Sequence, residues 1–171
     1  MRVLRNTFRA MLLMSTLYQA ALASPPRAKD EADIKALEQN WAAAVKAKDS
    51  HKIMSFYAPG EKLFVFDVVP PRQYAGSDAY KKDWEDLFGQ MQGSMNLEIS
   101  DLSVTTTGGD LAFSHSIQHV TGTFTDGKPM DLTVRVTDVY QKIGGKWLIV
   151  HEHVSVPVDI KTGQADLQSK P

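Results

Sequence analysis

The stretch WLIVHEHVSVP at residues 147–157 predicts a β-strand, because apolar and β-branched residues dominate it and Pro157 ends it. Alternate side chains of an extended chain share a face. One face carries Trp147, Ile149, His151, His153 and Ser155, and the other carries Leu148, Val150, Glu152, Val154 and Val156. Histidines in line with apolar residues indicate a polar-bottomed pocket. We therefore expect the first face to line a cavity and the second face to pack or to contact a partner.

Three more strands precede this one, at residues 96–106, 111–124 and 129–142, which are rich in Val, Thr, Ile and Phe. Gly- and Asp-containing turn signals at residues 108–110, 125–128 and 144–145 separate them and predict hairpins. Successive strands that are joined by tight turns form an antiparallel sheet.

Helices are predicted on the N-terminal side of these strands. Asp30 is a candidate N-cap for a helix to about residue 48 with an apolar stripe formed by Ile34, Leu37, Trp41 and Val45. Asp49 caps a shorter helix, a third helix opens at residues 76–78, and an apolar run at residues 63–69 predicts a buried strand. The order ααβαββββ indicates an α+β fold, in which a strongly bent antiparallel sheet wraps the N-terminal helices and leaves a cone-shaped cavity.

The first 23 residues have the pattern of a secretory signal peptide. Arg2, Arg5 and Arg9 precede an apolar run, and Ala21-Leu22-Ala23 forms an A-x-A cleavage site before Ser24. The alternatives are a first helix or a membrane anchor, for which the run is short and interrupted. We expect a secreted or periplasmic protein with a signal peptide (1–23), a linker (24–29), one domain (30–159) and a flexible tail (160–171).

Charge and cysteine content exclude several classes of function. Of the 19 basic residues three lie in the leader, so the rest of the chain, with 20 acidic residues, has a net charge of −4. Nucleic acid is therefore not an expected partner, since phosphate binding needs a basic face. The chain has no Cys, which excludes disulfides, a thiol nucleophile and thiolate metal sites. We expect no membrane association after the leader is removed.

Three stretches carry a resemblance to a known family: FDVVPPRQYAG at residues 66–76 followed by Tyr80 and Trp84, RVTDVY at residues 135–140, and residues 145–157. They resemble the nuclear transport factor 2-like superfamily, and within it the SnoaL-like and ketosteroid-isomerase-homologue group. The W-x-x-V-H-x-H-x-S run also resembles the association domain of calcium/calmodulin-dependent protein kinase II. The resemblance implies a cone-shaped α+β barrel, and it implies a homodimer that forms through the sheet. It does not choose among isomerases, dehydratases, cyclases, transport factors and oligomerising domains.

Four residues are candidates for acid–base chemistry or charge recognition. His151 and His153 have side chains that titrate near neutrality, although both could be structural histidines. Asp67 follows an apolar run, which suits a general base, or it could form a turn. Arg135 could bind an anion or face solvent. His115 and His119 could join the other two histidines around a metal, but their spacing fits no known metal motif, so we predict no metal and no cofactor.

Three functions remain open on this sequence. The leading hypothesis is that the domain binds a small organic molecule through a set of seven residues: Tyr57, Asp67, Tyr74, Trp84, Arg135, His151 and His153. The second is a cofactor-independent isomerase or dehydratase with His153 or Asp67 as general base. The third is a non-catalytic homo-oligomerisation module that uses an apolar outer sheet face, consisting of Val134, Val136, Leu148 and Val150.

Overall fold

The computed structural model describes residues 26–168, so the predicted leader at residues 1–23 lies outside the described residues. The helices in this part of the chain are α1 (Pro26–Lys46), α2 (Ser50–Met54) and α3 (Ser77–Gln90), with a 3-10 turn at Gly60–Lys62. The strands are β1 (Phe64–Phe66), β2 (Tyr74–Ala75), β3 (Met91–Thr106), β4 (Leu111–Phe124), β5 (Pro129–Ile143) and β6 (Lys146–Ser155). No helix within residues 26–168 is long and apolar enough to span a membrane.

Helix α1 buries the predicted apolar stripe against the sheet, as shown by the low exposure of Ile34, Leu37, Trp41 and Val45. Asp30 is not its N-cap, because the helix already begins at Pro26. The Asp30 carboxylate is buried instead, and it accepts hydrogen bonds from Lys142 Nζ at 2.6 Å and Trp147 Nε1 at 3.2 Å. These bonds connect α1 to β5 and β6.

The strands form one sheet in the order β2-β1-β6-β5-β4-β3, which confirms the α+β class. Strands β3 to β6 pair antiparallel through the predicted turns. Strand β1 instead runs parallel to β6, with Val65 opposite Glu152, so the sheet is mixed. A parallel pair is possible here because the long segment from α3 to β5 separates the two strands in sequence. The edge strands β2 and β3 do not pair, so the bent sheet is not closed into a barrel.

Strand β3 bends at two interruptions of its pairing with β4, between Gln92 and Asn96 and between Ser100 and Ser103. Bulges of this kind bend a strand and increase its twist. Asp101, in the second interruption, has a φ of 51°, in the left-handed region. The bent sheet curves around α1 and leaves a space between α1, α3 and the strands.

A β-bulge at Val150 interrupts the alternation of β6. Tyr140 pairs with Ile149, but the preceding residue of β5, Val139, pairs with His151. Val150 is therefore an extra residue on β6. One extra residue exchanges the two faces for every side chain that follows it.

The bulge reverses the predicted faces in the second half of β6. Glu152 is buried, with 3% exposure, and Val154 lies on the same inner face. His153 is exposed on the outer face. The expectation that His151 and His153 face the cavity, while Glu152 packs outside, was therefore wrong, because it assumed an uninterrupted strand.

The faces of β5 also differ from the expected partner surface. Val134 and Val136 are buried inside the domain, with 4% and 3% exposure, and Arg135 between them is exposed. The outer sheet face instead exposes Leu111 and Phe113 of β4. Of the predicted outer surface, Val134 and Val136 are therefore excluded, whereas Leu148 and Val150 of β6 are half-buried.

The segment after β6 folds back as a short hairpin. Val158 pairs with Ala165. The backbone carbonyl of Leu167 then accepts a hydrogen bond from the Thr133 amide on β5 at 2.7 Å. This places the end of the described chain beside β5, where Leu167 lines the same cavity as residues of α3 and β5. Flexibility of the tail at residues 160–171 stays a prediction.

Candidate functional site

A cavity of about 670 Å³ lies between α1, α3 and the concave face of the sheet. Its wall is mostly apolar and includes Trp41, Val45, Trp84, Leu87, Met95, Leu97, Val120, Phe124, Leu132, Val134, Val154 and Leu167. This volume and this lining are those of a site for a small organic molecule. Polar groups enter the wall at a few points, from the segment after β1, from α3, from β4 and β5, and from β6.

Glu152 is the most deeply buried carboxyl group in the cavity wall. Its Oε2 accepts a hydrogen bond from the Tyr57 hydroxyl at 2.7 Å, and its Oε1 accepts one from the Tyr80 hydroxyl at 2.5 Å. Burial raises the pKa of Glu152 to about 7, although the two hydroxyl donors oppose the shift. A carboxyl group with this pKa can both accept and donate a proton near neutral pH.

Asp67 lies beside Glu152 in the same wall. The Tyr80 hydroxyl is 3.4 Å from Asp67 Oδ2, so one phenol lies between the two carboxyl groups. Burial raises the pKa of Asp67, and the negative charge of Asp83 raises it further. The backbone amide of Val68 donates to Asp67 Oδ1 at 2.5 Å and opposes this shift. Two neighbouring carboxyl groups with raised pKa values are one arrangement that supports general acid–base chemistry.

Two more carboxyl groups lie behind Glu152, away from the cavity. Asp138 is directly opposite Glu152 across β5 and β6, and its carboxyl group is within hydrogen-bonding reach of Glu152. Glu38 of α1 accepts a hydrogen bond from the Tyr140 hydroxyl at 2.7 Å. The same hydroxyl is 2.7 Å from Ser114 Oγ. The site therefore has a second layer of buried acids connected by hydroxyl groups.

Burial determines the protonation of this second layer. It raises the pKa of Glu38 to about 7, against the effect of the Tyr140 hydroxyl. It raises the pKa of Asp138 well above the usual range, and the charges of Glu38 and Glu152 add to the effect. Within residues 26–168, no Lys, Arg or His forms an ion pair with any of these three carboxyl groups. Burial therefore favours the protonated form of Asp138 at neutral pH, whereas Glu38, with a pKa of about 7, is partly ionised there.

The charged residues that line the cavity are all acidic: Asp67, Asp83, Asp86, Asp131 and Glu152. No Lys, Arg or His in the described part of the chain contributes to the wall. Two of the acids have partners near the mouth, where Lys82 pairs with Asp86 and His119 pairs with Asp131. The described residues contain no group of three or more acids and histidines arranged to hold a metal ion.

Four of the predicted ligand-binding residues lie on the inner side of the sheet. Asp67 and Trp84 line the cavity. Tyr57 is buried behind the wall and contacts Glu152, and Tyr74 donates a hydrogen bond to Asp83 Oδ1 at 2.6 Å. The structure thus brings these four residues to the site, two of them as part of the wall and two as its support.

The other three predicted residues lie on the outer face and do not line this cavity: Arg135, His151 and His153. His151 donates from Nδ1 to the Phe64 carbonyl oxygen at 2.9 Å, which is a structural role. His115 of β4, which the sequence offered as a possible metal ligand, is exposed on that face as well. The outer position of these side chains follows from the bulge at Val150 and from the alternation of β5.

The sequence contained a signal for two of the missed acids. Glu38 falls within the apolar stripe of α1, between Ile34 and Trp41, at helical spacing. Asp138 falls in the apolar register of β5, two residues after Val136. A carboxyl group at a core position is unusual and indicates a functional or paired acid. For Glu152 the same signal was misread: it alternates with Leu148 and Val154, but that face was expected to lie outside, because the bulge at Val150 was not foreseen.

Similarity to known proteins agrees with this architecture. The SnoaL-like domain matches residues 34–159. A nuclear transport factor 2-like protein of unknown function from Pseudomonas putida KT2440 is 32% identical, with a TM-score of 0.75, and the alignment covers 84% of this chain and 98% of that chain. No curated protein matches the sequence.

Two other solved structures share the fold. A calcium/calmodulin-dependent protein kinase II association domain-like protein from Xanthomonas campestris is 27% identical, with a TM-score of 0.64, over 84% of this chain and 96% of that chain. A scytalone dehydratase-like protein from Novosphingobium aromaticivorans is 15% identical, with a TM-score of 0.69, over 77% of this chain and 86% of that chain. At this identity the second likeness concerns the fold alone.

Proposed function

The chain belongs to the SnoaL-like domain family, and we propose that its cavity binds a small organic molecule that is neutral or positively charged. The observation that carries this proposal is the position of Glu152, a buried carboxyl group held by two tyrosines in the wall of a mostly apolar cavity. Such a site binds the apolar body of a ligand by contact and orients it through one polar group.

The charge of the ligand follows from the charge of the wall. An anionic ligand would meet five acidic side chains, of which Asp86 and Asp131 pair with Lys82 and His119, and no basic residue lines the described wall. Like charges in a partly desolvated cavity repel strongly. A neutral alcohol, a ketone or an amine avoids this repulsion, and an amine is attracted to the carboxyl groups.

Proton transfer is the reaction that this geometry favours, as in an isomerase or dehydratase that needs no cofactor. Glu152 is the first candidate for the general base, because its pKa of about 7 lets it take and return a proton. Asp67 remains the second candidate, with Tyr80 between the two groups. His153, the other predicted base, lies on the outer face.

Three naphthalene derivatives of one size test the binding proposal: 2-naphthylmethylamine, 2-naphthylmethanol and 2-naphthoate. We expect calorimetry at pH 7.5 to detect the amine and the alcohol but not the carboxylate. Glu152→Gln and Asp67→Asn should each lower the affinity for the amine at least tenfold. His153→Ala, on the outer face, should leave this affinity unchanged. Binding of none of the three, or tightest binding of the carboxylate, would overturn the proposal.

Export is part of the proposed function. The basic start, the apolar run and the A-x-A site in residues 1–23 support cleavage before Ser24 and a secreted or periplasmic protein. N-terminal sequencing of the protein from its source cell should begin at Ser24. An intact leader on protein in the cytoplasmic fraction would refute export.

A homodimer that forms through the outer sheet face is proposed as well. Leu111 and Phe113 are 46% and 45% exposed on β4, and burying them would remove apolar surface from water. Sedimentation should give a dimer for the wild type and a monomer for Phe113→Asp. A strictly monomeric wild type at high concentration would reject this interface, and with it the non-catalytic oligomerisation module.

A further inference from the structure

The hydrogen bonds around Glu152 are those of a carboxylate anion. Each of its oxygens accepts a hydrogen bond from one phenol, Tyr57 at 2.7 Å and Tyr80 at 2.5 Å. Both phenols keep their protons at neutral pH, since burial raises their pKa well above the usual range. Two hydroxyl donors favour the ionised form of a carboxyl group. The negative charge is therefore better placed on Glu152 than on a neighbour with fewer donors.

Asp138 has too few donors to be an anion. It is 1% exposed, and its Oδ1 accepts no hydrogen bond from a donor in the described part of the chain. Its Oδ2 is 3.5 Å from the Tyr140 hydroxyl, which makes shorter contacts with Glu38 and Ser114. One weak donor compensates only a small part of the free energy that is needed to remove a carboxylate from water.

The groups that face Asp138 and Glu152 from the packed elements cannot balance a second negative charge. They come from α1, from the segments after α2 and β1, from α3 and from β5: Glu38, Tyr57, Asp67, Tyr80 and Tyr140. All of them are acids, and no Lys, Arg or His of residues 26–168 forms an ion pair with Asp138 or Glu152. Two carboxylates in hydrogen-bonding reach of each other can be accommodated only with a proton between them.

We propose that Asp138 is held as a neutral carboxylic acid that donates its proton to Glu152, so that the pair holds one negative charge, on the cavity side. Asp138 is then a positioning residue. Tyr57 and Tyr80 each donate one hydrogen bond to Glu152, and Asp138 donates a third. The three bonds together fix the orientation of the Glu152 carboxylate toward the cavity. Its value for catalysis rests on the proposed function, but its protonation does not depend on any ligand.

Carbon-13 NMR of the side-chain carboxyl groups tests the proposal on the ligand-free wild type. The resonance that disappears in Asp138→Asn identifies Asp138. We expect this resonance to stay at the position of a protonated acid from pH 5 to pH 8, while the Glu152 resonance titrates near pH 7. An Asp138 resonance at the carboxylate position at pH 7 would overturn the inference, and the wild-type measurement stands even if a variant fails to fold.

The direction in which the Glu152 titration moves in two variants gives an independent readout. Asp138→Asn keeps a hydrogen-bond donor, so the Glu152 midpoint should stay within about half a pH unit of the wild type. Asp138→Ala removes the donor, so the midpoint should rise. If Asp138 were an anion, both variants would remove a like charge and lower the midpoint by a unit or more. Failure of the naphthalene probes to bind would reject the proposed function and leave this result intact.

Discussion

Replacement of Glu38 by Gln should change how the stability of the protein depends on pH. Glu38 is 2% exposed, and burial raises its pKa from 4.5 to about 7. A carboxyl group whose pKa is raised in the folded state stabilises the fold fully below its unfolded pKa, and this stability is lost as the pH rises to the folded pKa. The wild type therefore loses stability between about pH 4.5 and pH 7. Gln cannot ionise, yet it keeps an oxygen that accepts the Tyr140 hydrogen bond.

The size of the effect follows from the shift in the pKa of Glu38. A difference of one pKa unit corresponds to about 1.4 kcal/mol, so the rise from 4.5 to about 7 corresponds to about 3 kcal/mol. The free energy of unfolding of Glu38→Gln, minus that of the wild type, should increase by about 3 kcal/mol from pH 4.5 to pH 8. The increase should level off above pH 7.

Urea denaturation at half-unit pH steps, followed by tryptophan fluorescence and by circular dichroism, measures this difference. Glu31→Gln is the matched control, because Glu31 is on the same helix at a partly exposed position. Its pH profile should run parallel to that of the wild type. A Glu38→Gln difference that stays constant across this pH range would refute the argument that Glu38 is a buried acid protonated at low pH.

Three further changes test other parts of the structure. Tyr80→Phe should lower the free energy of unfolding, measured by urea denaturation, by about 1–3 kcal/mol, since it removes a buried donor to a charged group. NMR should show a higher titration midpoint for Glu152 in this variant. Asp30→Ala should lower the free energy of unfolding by about 1 kcal/mol or more at pH 7 and change the fluorescence of Trp147. Because the pKa of Asp30 is lowered in the folded protein, the difference in stability from the wild type should shrink as the pH falls below 3.8. Leu167→Ala should cost less than about 0.5 kcal/mol, because this side chain is 42% exposed, but stopped-flow fluorescence should show faster entry of 2-naphthylmethanol.

Much of the fold could be predicted because the local signals agree with the tertiary structure. The predicted strand at residues 111–124 is the observed β4, and Asp49 caps α2 by accepting from the Lys52 amide as expected. The stripe of α1 reports the buried side of that helix because its period matches the helix. The parallel pairing of β1 with β6 could not be predicted, since three-residue strands carry little register information.

The site was predicted in part, and the reason lies in one residue. Trp84 and Asp67 were identified from apolar surroundings and from the family resemblance, and both line the cavity. Glu152 was missed because an uninterrupted alternation places it with Leu148 on the outer face, whereas the bulge at Val150 turns it inward. A bulge adds one unpaired residue without a characteristic side chain, so periodicity alone does not locate it.

The central claim is that Glu152 is the titrating group of a cavity that binds a small organic molecule. Carbon-13 NMR of the Glu152 carboxyl group during a titration with 2-naphthylmethylamine at pH 7 tests it most directly. We predict that the Glu152 resonance moves toward the carboxylate position and saturates at the same amine concentration as the heat of binding. A saturating heat with an unchanged Glu152 resonance, or no binding at all, would contradict the claim.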